Sequence, residues 1–147
     1  MYRSKSTSTV VIICILFQML SCRKEENIRI GSFKELPSEI GGCACYFSNN
    51  KKEFQLEKYI CADDYFKNAY ILINDKKVIL KNVEASVTVK KETHWKKTFK
   101  SEEYQMTIEM FQMGEIDEIN QQKGFLILKN IKTGQEIKSE FYGECGC

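Results

Sequence analysis

Two Cys-x-Cys segments, Cys43-Ala44-Cys45 and Cys145-Gly146-Cys147, stand roughly a hundred residues apart in this 147-residue chain, and they limit its folds more than any other feature. Successive side chains of a β-strand point to opposite faces, so in each segment both sulfurs share a face. In "QEIKSEFYGECGC" the residues Ile137, Ser139, Phe141, Gly143, Cys145 and Cys147 fall on one face, while Glu136, Lys138, Glu140 and Glu144 fall on the other. The sulfurs therefore point with the apolar residues. When this strand is set antiparallel to "CACYFS" with Cys43 facing Cys147, Cys45 faces Cys145, the small Ala44 and Gly146 meet, and Phe47 covers Gly143. Opposed strand residues have Cα atoms about 4.5–5.5 Å apart, inside the disulfide range of roughly 4.4–6.8 Å. Bridges Cys43–Cys147 and Cys45–Cys145 are thus expected. A one-step register slip, or a bridge to Cys61, would give another connectivity. Four converging thiolates could instead hold zinc, although Cys-x-Cys is a less usual zinc spacing than Cys-x₂-Cys.

The rest of the chain from Cys43 onward also follows period two. In "YQMTIEMF" Tyr104, Met106, Ile108 and Met110 alternate with Gln105, Thr107 and Glu109, the pattern of a half-buried strand. "AYILI" and "KVIL" flank the polar turn Asn74-Asp75-Lys76-Lys77, and "GFLILKN" and "QEIKSEFYG" flank Lys132-Thr133-Gly134, which gives two hairpins. "ACYFS", "EFQLEKYICA" and "EASVTVKK" are weaker strands. About eight short strands predict an all-β domain, a small antiparallel barrel or sandwich.

Whether the cysteines are oxidised depends on compartment, and the first residues address that. Arg3 and Lys5 precede an apolar run from Val10 to Leu20, the layout of a secretory signal. The run is shorter than the about 20 apolar residues of a membrane span. An exported protein meets conditions that permit disulfides, which favours staples over zinc. Ser21-Cys22 at the end of the run resembles the signal of bacterial lipoproteins, in which a small residue precedes the cysteine that is acylated. Cys14, inside the run after Ile13, fits that pattern worse. The resemblance implies a signal peptide over 1–21, a lipid on Cys22 and a membrane-held mature chain, since stable anchoring takes more than one acyl chain. Arg23-Lys24-Glu25-Glu26 is similar to the short charged signals that route certain Gram-negative lipoproteins to the outer face of the outer membrane; otherwise it is a solvated tether.

Loss of 21 residues from 147 leaves 126, enough for one core. The 22 basic residues fall to 20 without Arg3 and Lys5, which balances the 20 acids, and nothing marks a nucleic-acid binder. Polar residues dominate up to Glu39, so 22–39 is expected to be the lipidated N-terminus and tether, and 40–147 the β domain.

Few residues invite chemistry. "KKETHWKKTFK" holds the sole histidine, His94, and gives a candidate patch for phosphate or acidic sugars from Lys91, Trp95, Lys96, Lys97 and Lys100. The plainer expectation is the solvated end of a hairpin. Asp63-Asp64 lacks the oxygen-rich surroundings that calcium needs. No metal or cofactor is expected. One lysine-flanked histidine is a poor basis for a hydrolytic triad, and there is no phosphate-cradling glycine loop. The ends "GCACYF" and "YGECGC" give the domain a resemblance to small uncharacterised β domains of envelope lipoproteins. That resemblance brings no established function with it; with little to support catalysis, the expectation is a non-catalytic binding module at the cell envelope, with an outer-membrane anchor and a protein or glycan partner. The alternatives are a zinc- or thiol-dependent envelope protein and, by fold-level analogy alone, a hydrolase inhibitor of the lysozyme-inhibitor type.

Overall fold

The computed structural model describes residues 27–65, 67–83, 88–91 and 93–147; over 84–92 only the backbone course of 88–91 is described. The expected signal peptide and Cys22 lie outside the described residues. The strands are β1 (Ala44–Ser48), β2 (Cys61–Asp63), β3 (Asn68–Ile73), β4 (Lys76–Asn82), β5 (Thr88–Lys91), β6 (His94–Lys100), β7 (Tyr104–Ile116), β8 (Ile119–Asn130) and β9 (Glu136–Gly146), with one short helix, α1 (Lys51–Gln55).

The strands close into a barrel. Each pairs antiparallel with its neighbours in the order β4-β3-β2-β1-β9-β8-β7-β6, and β4 returns to β6 through Lys81↔Lys100 and Asn82↔Phe99. β5 also pairs with β6, from Thr88↔Lys96 to Lys91↔His94, beyond the stretch β4 occupies. The two therefore share one of eight positions in the ring, and the architecture is a barrel rather than a sandwich. An eight-stranded barrel is about wide enough for side chains to fill its interior. Here the alternating inward residues do so, among them Phe47, Cys61, Ile71, Leu80, Phe99, Met106, Ile108, Leu126 and Leu128, all fully buried.

Turn chemistry sets the hairpins. Asn74 and Asp75 (φ 49° and 64°) link β3 to β4, and Asp117 and Glu118 (φ 49° and 67°) link β7 to β8. Positive φ at both central residues is what the type I′ two-residue hairpin turn requires. The first of these turns was expected, with Lys76 and Lys77 now in β4. At Gly134 (φ 76°) the β8–β9 connection uses the glycine that the sequence supplies.

Two stretches depart from expectation. "EFQLEKYICA" is not one strand, because Asn50 accepts a hydrogen bond from the Glu53 backbone at 2.9 Å and caps α1; only Cys61 to Asp63 is extended. Residues 27–39, expected as tether, are bound to the barrel from Asn27 onward. Ile30 bridges Ile73, Phe33 bridges Tyr59, and the Asn74 amide donates to the Arg29 carbonyl at 2.9 Å. Ile28 belongs to the core cluster, and its amide reaches Gln135 Oε1 in the β8–β9 turn at 3.2 Å. Burial of Ile28 and Phe33 outweighs the polar character of their neighbours. This strap marks one end of the barrel. At the other, the rim, lie the β7–β8 turn and the ends of β1 and β9 that carry the Cys-x-Cys segments.

Candidate functional site: a groove over the disulfide seam

β1 and β9 meet in the register Ala44↔Gly146, Cys45↔Cys145, Tyr46↔Glu144 and Phe47↔Gly143, the alignment that the side-chain parity gives. The disulfides are Cys43–Cys147 and Cys45–Cys145. Their thiols are consumed, so the zinc arrangement has no ligands at these positions. Gly143 is required by the close approach of Phe47: a Cβ there would stand 2.5 Å from Phe47 Cδ1 and 2.6 Å from the Tyr46 carbonyl. Cys61 is the free cysteine among the described residues; it is buried, and its Sγ lies 4.0 Å from Met106 Sδ. Burial, and secondarily the nearby Asp63 charge, push its thiol well above the ordinary range, the environment of a buried structural cysteine and not of an activated thiolate.

Behind the seam sits a buried ionic pair. Lys97 is 7% exposed and Asp63 is fully buried. The Lys97 ammonium donates to Asp63 Oδ1 at 3.3 Å, to Oδ2 at 3.4 Å and to the Tyr65 carbonyl at 3.2 Å, and lies 5.1 Å from the Tyr65 ring centroid. The Tyr65 amide in turn donates to Asp63 Oδ1 at 2.8 Å. Tyr65 is held at φ 72°, a left-handed conformation uncommon for an aromatic residue. Burial raises the Asp63 carboxyl above the usual range, and Lys97 opposes that rise.

The expected anionic-ligand patch is corrected by the same geometry. Trp95, Lys97 and Phe99 share the inward parity of β6: Trp95 packs against the core and Lys97 is committed to Asp63 inside the barrel. Lys96 and Lys100 take the outward parity, so the residues do not form one surface. The side chain of Lys91 lies outside the described residues. His94 is engaged by its neighbours: its Nε2 is 2.9 Å from Glu109 Oε1 and its ring stacks on Phe111 at 4.2 Å. Asp64 holds the β2–β3 turn, accepting from the amides of Lys67 at 2.8 Å and Asn68 at 2.6 Å.

The outer face of the seam carries a feature not expected from the sequence, a groove of 590 Å³. Its floor is made of small residues, Gly42, Ala44 and Gly146. On one side α1 folds back over the barrel wall. Phe54 meets Tyr59 at 5.3 Å and Tyr142 at 5.2 Å between ring centroids, and Tyr59 meets Tyr46 at 5.5 Å. On the other side the β7–β8 turn brings Asp117, Glu118 and Ile119 over Gly146; a Cβ at Gly146 would lie 3.3 Å from Ile119 Cγ1. Tyr65 closes the rim end, and Glu144 projects from β9. Glu144 accepts the Tyr142 hydroxyl at 2.8 Å, and burial together with this bond pushes the Tyr142 phenol up to about 12. A volume of this size falls in the usual range for ligand pockets, about 300–1,000 Å³.

The outward parity of Tyr46 and Glu144, opposite Cys45, Phe47 and Cys145, was the one signal in the sequence that these residues serve another face. No protein-family model matches the chain, and no curated protein or solved structure is significantly similar to it.

Proposed function

We propose that the chain is a lipid-anchored, non-catalytic binding module of the bacterial cell envelope, with the groove over the disulfide seam as its binding surface. The groove carries this reading: four aromatic rings and three carboxylates line a concave wall of ligand size. The anchor rests on Ser21-Cys22 at the end of the apolar run, and two disulfides suit an oxidising compartment. Cys22 is five residues from Asn27, a reach of at most about 18 Å. Asn27 joins the barrel at its strap end, where its Oδ1 accepts from Gln135 Nε2 at 3.1 Å. An acylated Cys22 would therefore hold that end near the membrane and turn the rim, with the β7–β8 turn, away from it.

Two measurements test the proposal. A fatty-acid analogue should label the wild type and not Cys22→Ser; equal labelling would remove the anchor. A photocrosslinker placed at Ile119 on living cells should give a discrete adduct, absent when it sits at Lys132 near the strap end and lost with Tyr59→Ala. Equal adducts at both positions, or none at either, would remove the groove as binding surface.

A further inference from the structure

We infer that the groove receives a positively charged side chain of a protein partner, a lysine or arginine on a segment whose flanking residues are apolar; this deepens the binding reading above and rests on it. Charge comes first. The ionisable acids lining the groove are Asp117 and Glu118 from the turn and Glu144 from β9, and no lysine or arginine lines it among the described residues. The rings of Tyr46 and Tyr59 add faces whose negative quadrupoles attract a cation within about 6 Å. The domain already contains this chemistry once: behind the same wall, Lys97 is held by a carboxylate and by the Tyr65 ring, which is also part of the groove.

Apolar surface then points to a protein rather than a free amine. Ile119 lies in the groove wall, and the hairpin that carries it leaves Met113, Ile116 and Ile119 exposed at 55%, 59% and 42%. A small cation would pair with the acids and leave the exposed Met113, Ile116 and Ile119 in water. A peptide with hydrophobic residues beside its lysine or arginine covers both, the combination of a charged anchor and desolvated apolar contacts on which interfaces draw.

The test uses the mature chain as cells produce it, extracted in detergent micelles. The probes are the blocked peptides acetyl-Leu-Arg-Ile-amide, its glutamine and glutamate counterparts, and tetramethylammonium as the bare cation. Binding is followed by ring-proton shifts of Tyr46 and Tyr59. The arginine peptide is expected to bind, the glutamine peptide to bind about five- to tenfold more weakly, and the glutamate peptide not at all. Added salt should weaken the arginine peptide. Glu144→Gln, which preserves the acceptor for Tyr142, and Glu118→Gln should each lower its affinity severalfold with the melting temperature unchanged. Equal affinity for the three peptides, no binding by any, indifference to both variants, or tetramethylammonium binding as tightly as the arginine peptide would overturn the inference. Were the Ile119 adduct still lost with Tyr59→Ala while the peptides showed no charge preference, the groove would remain a binding surface and only its cationic partner would fall.

Discussion

Lys97 and Asp63 face each other in a mostly apolar interior, and the Asp63 carboxyl is raised because burial costs its charge more than Lys97 returns. A carboxyl raised in the folded state holds its proton to higher pH than the unfolded chain does. Its contribution to stability is therefore complete at acid pH and declines as pH rises from the unfolded value, about 3.9, through the folded one. Lys97→Met removes the opposing charge and should cost about 3–5 kcal/mol at neutral pH, with the deficit shrinking toward acid pH as Asp63 protonates. Lys97→Met with Asp63→Val should recover wild-type stability or exceed it, and should lose this pH dependence. Urea melts across pH 4 to 8 check both statements; a double variant as unstable as the single would show that the pair holds the fold together. Gly143 obeys a different constraint. Gly143→Ala places a methyl group against Phe47 and the Tyr46 carbonyl, and overpacking of this kind costs about 1–3 kcal/mol, read from the shift in urea midpoint.

The seam between β1 and β9 closes the ring, and two disulfides cross it. Cys43–Cys147 spans 104 residues, and Cys45–Cys145 spans 100. In the chain-entropy picture either alone removes nearly the same loop, about 4–5 kcal/mol, and the second adds little once the first exists. Replacing both cysteines of either pair with serine should therefore cost much less than half of what replacing all four costs, a non-additivity that urea unfolding of the three variants measures. Equal, additive losses would mean that each bridge stabilises chiefly through its own local packing. The β7–β8 hairpin is the other element with a purpose beyond the barrel. β6 pairs with β7 only as far as Phe111, so the remainder of the hairpin overshoots its neighbour on that side and carries its turn to the groove.

At the scale of the molecule, the strap from Asn27 to Phe33 ties the chain that follows Cys22 to the end of the barrel away from the rim. If acylation holds, the domain sits close to the membrane instead of swinging on an 18-residue lead. Ile28→Ser with Phe33→Ser should release the strap, costing about 2–4 kcal/mol and opening a protease site between residues 27 and 40 that the wild type lacks; resistance unchanged in the variant would show that burial of these side chains does not hold the strap. Surface display, prompted by Lys24-Glu25-Glu26, belongs to this scale as well. Protease added to intact cells should then degrade the protein, and protection until lysis would leave the charged segment as linker alone.

Side-chain parity along single strands was legible without coordinates because it is local. Cys145 and Cys147 with Phe141, and Cys43 and Cys45 with Phe47, admit one register in which both pairs meet across small residues, and that register appears in the barrel. Other features depended on contacts between segments far apart in sequence. Closure as a barrel rests on Lys81 and Asn82 meeting Lys100 and Phe99, which no strand's own pattern encodes. Lys97 shares the parity of Trp95 and Phe99, yet a lysine faces inward only where a carboxylate from another strand awaits it, and Asp63 comes from β2. The groove assembles from β1, α1 and the loop after it, the β2–β3 turn, the β7–β8 turn and β9, segments whose side chains have nothing in common until the sheet curves and the seam is bridged. Strand pattern is set by the pleat of one segment, whereas a concave site is set by the curvature of all of them, and that exists only in the closed ring.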